Sequence, residues 1–309
     1  MRPGRIDASL IIVAFNAERF IASAIRSLLD QSYENFELII VDDGSRDGTA
    51  DIVREFQDPR IRLIIHEKNL GIGTARNRGI EEVRGARFCF CDADDAWRRE
   101  RLAKLCRTAR AYPDFFVGSD IYYCRSRKNG TLVPWRTLYE RRRVKADVIF
   151  FPSPAEFVKY GLHVYPLVPT EVVRRSSISF RQEYWGHEWL CFTLELFRAG
   201  LKLAVLKEPL YLYRMTPGSD SVKNTTLVSQ LKAFSYLFST AIPDAETRAE
   251  LHKSQKVAKH RLLTTAILEK KWKLALAAAV RSPGSIGYLS KRIPPWLLMR
   301  LISFLAESM

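Results

Sequence analysis

The chain has 309 residues, 47% hydrophobic and 27% charged, the balance of an ordinary globular protein, so one large domain plus an appendage is expected. No apolar run is long enough to span a bilayer, and the first one is too short for a signal-peptide core, which favours the cytosol. The net charge of +15 asks for an anionic partner, either nucleic acid, anionic lipid or an anionic nucleotide substrate. No helix-turn-helix, zinc-finger or aromatic RNA-binding signature accompanies that charge, so nucleic acid is set aside and the membrane surface comes first.

Taken in chain order, the first apolar strand covers residues 9–16 and is followed by a helical pattern over 17–29. A second strand, 36–45, ends in Asp42, Asp43 and the turn Gly44-Ser45, and a helix follows over 49–56. A third strand, 61–66, and a helix over 73–83 lead to a fourth short strand at 87–90. Apolar strands alternating with amphipathic helices imply a parallel sheet with helices on both faces. In such sheets ligands bind beyond the carboxyl ends of the strands. Phe15, Asp43 and Asp94 all fall at those ends and should converge on one crevice.

The stretch Cys91-Asp92-Ala93-Asp94-Asp95-Ala96-Trp97 is the most informative in the chain. Carboxylates this close repel one another unless something positive sits among them. A hard divalent cation such as Mg²⁺ or Mn²⁺, which takes oxygen ligands and bridges to phosphate, would suit. The alternative is an acidic first turn for a helix over 98–111, and the residues alone leave both open.

Beyond Pro113 another strand is expected over 115–123. Residues 125–145 read as a hairpin or flexible segment, with Arg141-Arg142-Arg143 as a solvated surface. A short helix at 155–160, a helix over 187–196 and strands at 203–206 and 210–213 precede Arg214 and a Pro217-Gly218 turn. From about Val228 the pattern is helical and basic, with Trp272, Trp296, Leu301 and Phe304 among lysines and arginines from Lys270 onward. Such helices lie in a lipid interface or pack their apolar face on the main domain, and amphipathicity alone does not separate the two. The five cysteines, Cys89, Cys91, Cys106, Cys124 and Cys191, read as buried reduced thiols with no zinc spacing.

The runs VAFNAERFIASAIRSLLDQSYENFELIIVDDGSRDGT, NLGIGTARNRGI and FCFCDADDAW, in that order and spacing, resemble the nucleotide-binding half of family-two inverting glycosyltransferases. The resemblance covers roughly residues 8–215. It implies an α/β GT-A fold, a mostly parallel central sheet with flanking helices, followed by a helical C-terminal extension. The expected divisions are 1–225 for the transferase domain, split into a nucleotide half at 1–123 and an acceptor half at 124–225, then 226–309 for the basic helical region. It further implies a nucleotide-diphosphate sugar donor, a divalent cation, Mg²⁺ or Mn²⁺, and a glycan acceptor. A lipid-linked acceptor in cell-surface or exopolysaccharide synthesis, met at the cytoplasmic face of the membrane, fits the basic tail.

By the same resemblance Asp94 is the metal ligand, with Asp92 and Asp95 assisting through water or donor hydroxyls. Asp43, with Asp42 beside it, reads the nucleobase, and Phe15 lies near the base unless it is a plain core residue. Arg76 faces the nucleotide unless it is an exposed helix arginine. Arg214 meets the diphosphate, and residues 215–221 resemble a loop that closes over donor. Glu188 matches the general base. His187 replaces the first acid of the family's acidic pair, which leaves the proton acceptor open between the two. A catalytically silent nucleotide-sugar-binding or membrane-interaction protein of the same fold is the alternative. Nucleotidyl transfer is disfavoured by the absence of a Gly-rich loop after the first strand. The processive branch is disfavoured by the absence of spanning helices and of a Q-x-x-R-W motif.

Overall fold

A computed structural model describes residues 6–127, 131–137, 146–160, 164–184, 188–215, 233, 236, 237 and 244–268. Arg141 to Arg143, His187, the loop at 216–221 and the segment from Lys270 onward lie outside them. The chain divides into two compact units, one of residues 1–157, 161–182 and 188–217, the other of 158–160, 183–187 and 218–309. In the second, the long element is a helix over Ala245–Leu268. Among the described residues no helix is long and apolar enough to cross a membrane.

The first unit holds two sheets. Strands β1 (Ala8–Ala14), β2 (Phe36–Asp42), β3 (Ile61–Ile65) and β4 (Arg87–Asp92) are parallel, in the order β3-β2-β1-β4. The short β9 (Val168–Pro169) closes the β4 edge in the antiparallel sense. Leu10, Ile11, Ile12, Leu38, Ile39, Ile40 and Val41 are all fully buried, although successive side chains point to opposite faces. Both faces are therefore covered, as an unbroken apolar strand requires, and each such side chain contributes about 1.5–3 kcal/mol. The covering helices include α1 (Ile21–Leu29), α2 (Thr49–Arg54) and α3 (Ile72–Glu81). One buried charge interrupts the apolar set far from the strand ends discussed below. Glu37 accepts from Ser9 Oγ at 2.6 Å, the Arg84 amide at 2.7 Å and Arg62 at 3.1 Å, so its desolvation is offset.

Helix α3 sits close to this sheet because Gly79 has no side chain. A Cβ there would lie 2.6 Å from Cγ2 of the buried, β-branched Ile11. Gly79→Ala should therefore destabilise the protein by about 1–3 kcal/mol through overpacking. The better helix propensity of alanine, about 1 kcal/mol, opposes this but does not cancel it. Urea unfolding measures the outcome, and a stabilised variant would contradict the close approach.

The second sheet was not anticipated as a sheet of its own. Its order is β5 (Ala96–Trp97), β10 (Lys202–Arg214), β6 (Phe115–Ser126) and β7 (Leu132–Thr137), with β8 (Val148–Phe151) also paired to β10. Strand β10 runs parallel to β6 and antiparallel to β5 and β8. The two strands expected at 203–206 and 210–213 are this one strand, with a register shift around Pro209, where proline cannot donate to the ladder. The segment after Tyr123 is a hairpin, in which β7 (Leu132–Thr137) pairs antiparallel with β6. Helix α4 (Arg101–Ala111) starts later than expected, because Ala96 and Trp97 pair with Leu212 and Tyr211. Helices α5 (Pro154–Tyr160), α6 (Thr170–Arg175) and α7 (Glu188–Arg198) complete the described connections. All five cysteines are buried, and among the described residues none forms a disulfide.

Candidate active site

Strands β1, β2 and β4 end side by side, and their first loop residues form one rim. Phe15, just past β1, is 47% exposed, so the core alternative is excluded for it. Asn16 beside it has φ 49°, a left-handed conformation that asparagine tolerates. Asp42 accepts from the Ser45 amide at 3.0 Å, while Ser45 Oγ accepts from the Asn16 amide at 2.9 Å, which ties the loops after β1 and β2 together. Asp43 accepts from the Leu70 amide at 3.0 Å and the Gly71 amide at 2.8 Å, and His66 Nδ1 lies 2.7 Å from it. Gly71 has φ +93°, and a Cβ on it would lie 2.2 Å from Gln182 Nε2. Gln182 in turn accepts from the Gly73 amide at 2.7 Å. Asp42 and Asp43 are thus both buried and engaged in shaping the rim.

The carboxylates after β4 are not the acidic first turn of a helix, since β5 lies between them and α4. Asp95 is 1% exposed and held from β10, accepting from the Arg214 amide at 2.7 Å and the Tyr211 hydroxyl at 2.7 Å. Tyr165 donates to Asp92 Oδ2 at 2.7 Å, and the Asp92 amide donates to the Tyr211 hydroxyl at 3.2 Å. The two tyrosine rings stack at 4.3 Å and 6°. Beneath them Arg101 is fully buried, with its guanidinium 4.1 Å from the Trp97 ring and 5.1 Å from that of Tyr211. Arg101 donates to the Tyr165 carbonyl at 2.6 Å and to Ser119 Oγ at 3.3 Å. Burial pushes its guanidinium below the usual arginine value.

Burial, then the charge of Asp92, pushes Asp94 up to about 6. Burial, then Asp92 and Asp94, holds Asp95 well above the ordinary carboxylate range. Arg214 Nε donates to the Asp94 carbonyl at 2.6 Å, Nη1 donates to Ser126 Oγ, and the guanidinium lies 4.7 Å from the Phe20 ring. Three carboxyls in four positions, with Arg214 at the Asp94 side and Arg76 at the Asp92 side, are oxygen donors of the kind a hard divalent ion takes. Mg²⁺ takes one or two carboxylates and completes its shell with water and substrate phosphate. Among the described residues no group of three or more such ligands is gathered around one point.

Arg76 is 3% exposed, so the exposed-helix alternative is excluded. Its Nη1 donates to Glu188 Oε1 at 2.6 Å and its Nη2 lies 3.4 Å from Asp92 Oδ1. Phe180 and Trp189 rings lie 5.2 and 5.1 Å from the guanidinium. Burial alone would lower its pKa, but Glu188 and then Asp92 outweigh it and hold the guanidinium above the usual arginine value. Glu188 opens α7 and is buried, and its Oε2 has no hydrogen-bond partner among the described residues. One arginine thus links a helix-opening carboxylate to the β4 carboxylates, 96 positions away in the chain (188 minus 92). Sequence reasoning missed Tyr165, Tyr211, Arg101 and Gln182, which carry no local motif and read as core or solvated helix.

Residues 9–158 match the family model for glycosyl transferase family 2. This part of the chain belongs to glycosyl transferase family 2. The glycosyltransferase EpsJ of Bacillus subtilis strain 168 is 31% identical over 214 residues, which is 68% of this chain and 62% of that relative. This chain therefore spans less than two thirds of the length of that relative. The beta-1,3-glucosyltransferase WfgD of Escherichia coli, described as acting from UDP-Glc on alpha-D-GlcNAc-diphosphoundecaprenol, is 40% identical over 94 residues, 30% of this chain and 37% of that one. Among solved structures, residues 1–349 of S. aureus TarS in complex with UDP-GlcNAc superpose with a TM-score of 0.67 at 17% identity, covering 97% of this chain and 88% of that one. The family 2 fold, the expected GT-A arrangement, is the fold seen here.

Proposed function

We propose that the chain is an inverting glycosyltransferase that moves a sugar from a nucleotide-diphosphate donor to a glycan acceptor. The observation that carries this reading is the Arg76 bridge, which sets Glu188 beside the crowded carboxylates at the end of β4. Mg²⁺ or Mn²⁺, held by Asp94 with Asp92 assisting, would neutralise the charge growing on the leaving diphosphate. Asp95 and Arg214 fix the loop that carries those carboxylates, and Arg214 adds positive charge at its edge. Phe15, Asp42 and Asp43 form the rim that takes the nucleobase. Glu188 accepts the acceptor hydroxyl proton as that oxygen attacks the anomeric carbon. The C–O bond to the diphosphate breaks on the opposite face, and the leaving group departs with the electron pair. Arg76 holds the Glu188 carboxylate in position through a hydrogen bond of 2.6 Å, and a general base has to be placed within reach of the proton it takes.

UDP-sugars are the donor class favoured by the names of WfgD and TarS, and WfgD's name also favours a lipid-linked acceptor. The basic, Trp-bearing sequence after Lys270 supports a peripheral position at the cytoplasmic face of a membrane. With it goes the division at residue 225 between transferase and helical regions. A screen of nucleotide-sugar donors with the full chain, with and without Mn²⁺, tests the reading. In it Asp94→Asn should weaken Mn²⁺ binding by at least the roughly 10- to 100-fold lost when an outer-shell partner is removed. Circular dichroism should stay unchanged. Near-normal Mn²⁺-dependent turnover in that variant would remove Asp94 from the site.

A further inference from the structure

The hairpin of β6 and β7 carries an aromatic and cationic row that the donor site does not use. Tyr213 of β10 is in register with Tyr123 of β6, which is in register with Arg136 of β7. The two tyrosine rings meet edge-on at 5.6 Å, and the Arg136 guanidinium lies 4.8 Å from the Tyr123 ring. Cys124 pairs with Pro134 and Tyr123 with Arg136, so Trp135 has no opposite residue and is the extra residue of a bulge. Bulges re-aim a side chain and are frequent beside active sites. Here the bulge leaves the Trp135 ring 50% exposed, with the Arg125 and Arg136 guanidinium groups 4.5 and 5.0 Å from it. Among the described residues neither arginine forms an ion pair, and both are exposed.

The surface is thus an exposed indole flanked by two guanidinium groups that have no ion-pair partner among the described residues. A cation near an aromatic face gains only about 0.5–1 kcal/mol at an exposed site, which leaves most of each guanidinium's hydrogen-bonding capacity for a ligand. The row starts at the carboxylate cluster: Tyr213 precedes Arg214, which donates to the Asp94 carbonyl, and Ser126 at the end of β6 accepts from Arg214. A pyranose ring presents C–H faces that stack on an indole, and a planar carboxylate or a phosphate matches a guanidinium fork.

We propose that Trp135, Arg125 and Arg136 form an acceptor subsite for a glycan that carries acidic groups, either uronate or phosphate, at sugars beyond the one that is extended. The subsite rests on the glycosyltransferase reading, and its test does not. Calorimetry with the full chain would use a galacturonate hexamer, neutral maltohexaose and glucose 6-phosphate, with UDP plus Mn²⁺ as the control ligand. The hexamer, the sugar phosphate or both should bind and maltohexaose should not, and the stronger acidic ligand identifies the source of the charge. Trp135→Ala and the double variant Arg125→Gln/Arg136→Gln should each weaken that binding at least tenfold, with Trp135→Phe close to wild type and UDP binding unchanged in all. Equal binding of neutral and acidic glycans, or acidic binding that survives both variants, would overturn the subsite. So would loss of binding to anionic phosphatidylglycerol vesicles in these variants when neither acidic ligand binds, since that makes the patch a membrane contact. Loss of UDP binding in the wild type would instead count against the glycosyltransferase reading alone.

Discussion

Glu188→Gln should lower sugar transfer by about 10²- to 10⁴-fold, the range that a positioned general base supplies. The amide keeps the shape and can still accept a hydrogen bond from Arg76, but it cannot take the acceptor's proton. Donor and Mn²⁺ binding should stay near wild type, because Asp94, Asp95 and Arg214 are untouched. Calorimetry with UDP and single-turnover transfer separate the two effects. The assignment fails if the variant transfers at the wild-type rate, and it passes to His187 if His187→Ala is the variant that loses turnover.

Arg76→Ala should cost about 3–5 kcal/mol of stability as well as activity, the usual effect of removing one partner from a buried ion pair. Arg76 is the ion-pair partner of Glu188 and contacts Asp92, and Glu188 is itself buried. Without the guanidinium those carboxylates are left with uncompensated charge. The double variant Arg76→Leu/Glu188→Leu should be more stable than Arg76→Ala, because it removes both charges together. Arg76→Lys should recover only part of the loss, since one ammonium cannot reproduce a fork that reaches Glu188 and Asp92. Urea midpoints measure all three, and a cost below about 1 kcal/mol for Arg76→Ala would show that the pair does not matter for stability.

The parallel half of the fold was legible because β1, β2 and β4 are buried on both faces and so read as unbroken apolar runs. Their carboxyl ends placed Phe15, Asp43 and Asp94 on one rim by topology alone. The second sheet was not legible. Ala96 and Trp97 pair with residues of β10 far along the chain, and no local periodicity announces such a pairing. Lys207-Glu208-Pro209 looks like a turn between two strands, yet the strand continues through it as an irregularity. Arg76 and Arg101 both sit in amphipathic helical patterns where arginine usually faces water. Their burial follows from what the second half of the chain lays over them, namely Glu188, Trp189, Tyr165 and Tyr211. Family resemblance pointed to Glu188, whereas the tyrosines behind Asp92 and Asp95 had no signal at all.

Strand β10 also sets an order of events as the polypeptide leaves the ribosome. The strands and helices from β1 to β4 are close in sequence and can associate early. Asp95 meets Tyr211 and Arg214 only after another 116 and 119 residues have been made. Contacts of such separation carry a large loop-closure penalty and form late. Until then Asp95 has neither the Tyr211 hydroxyl nor the Arg214 amide to hold it. The carboxylate face is thus shaped only once β10 has been made, and a chain released before Lys202 has strands β1 to β4 without the clasp on Asp95.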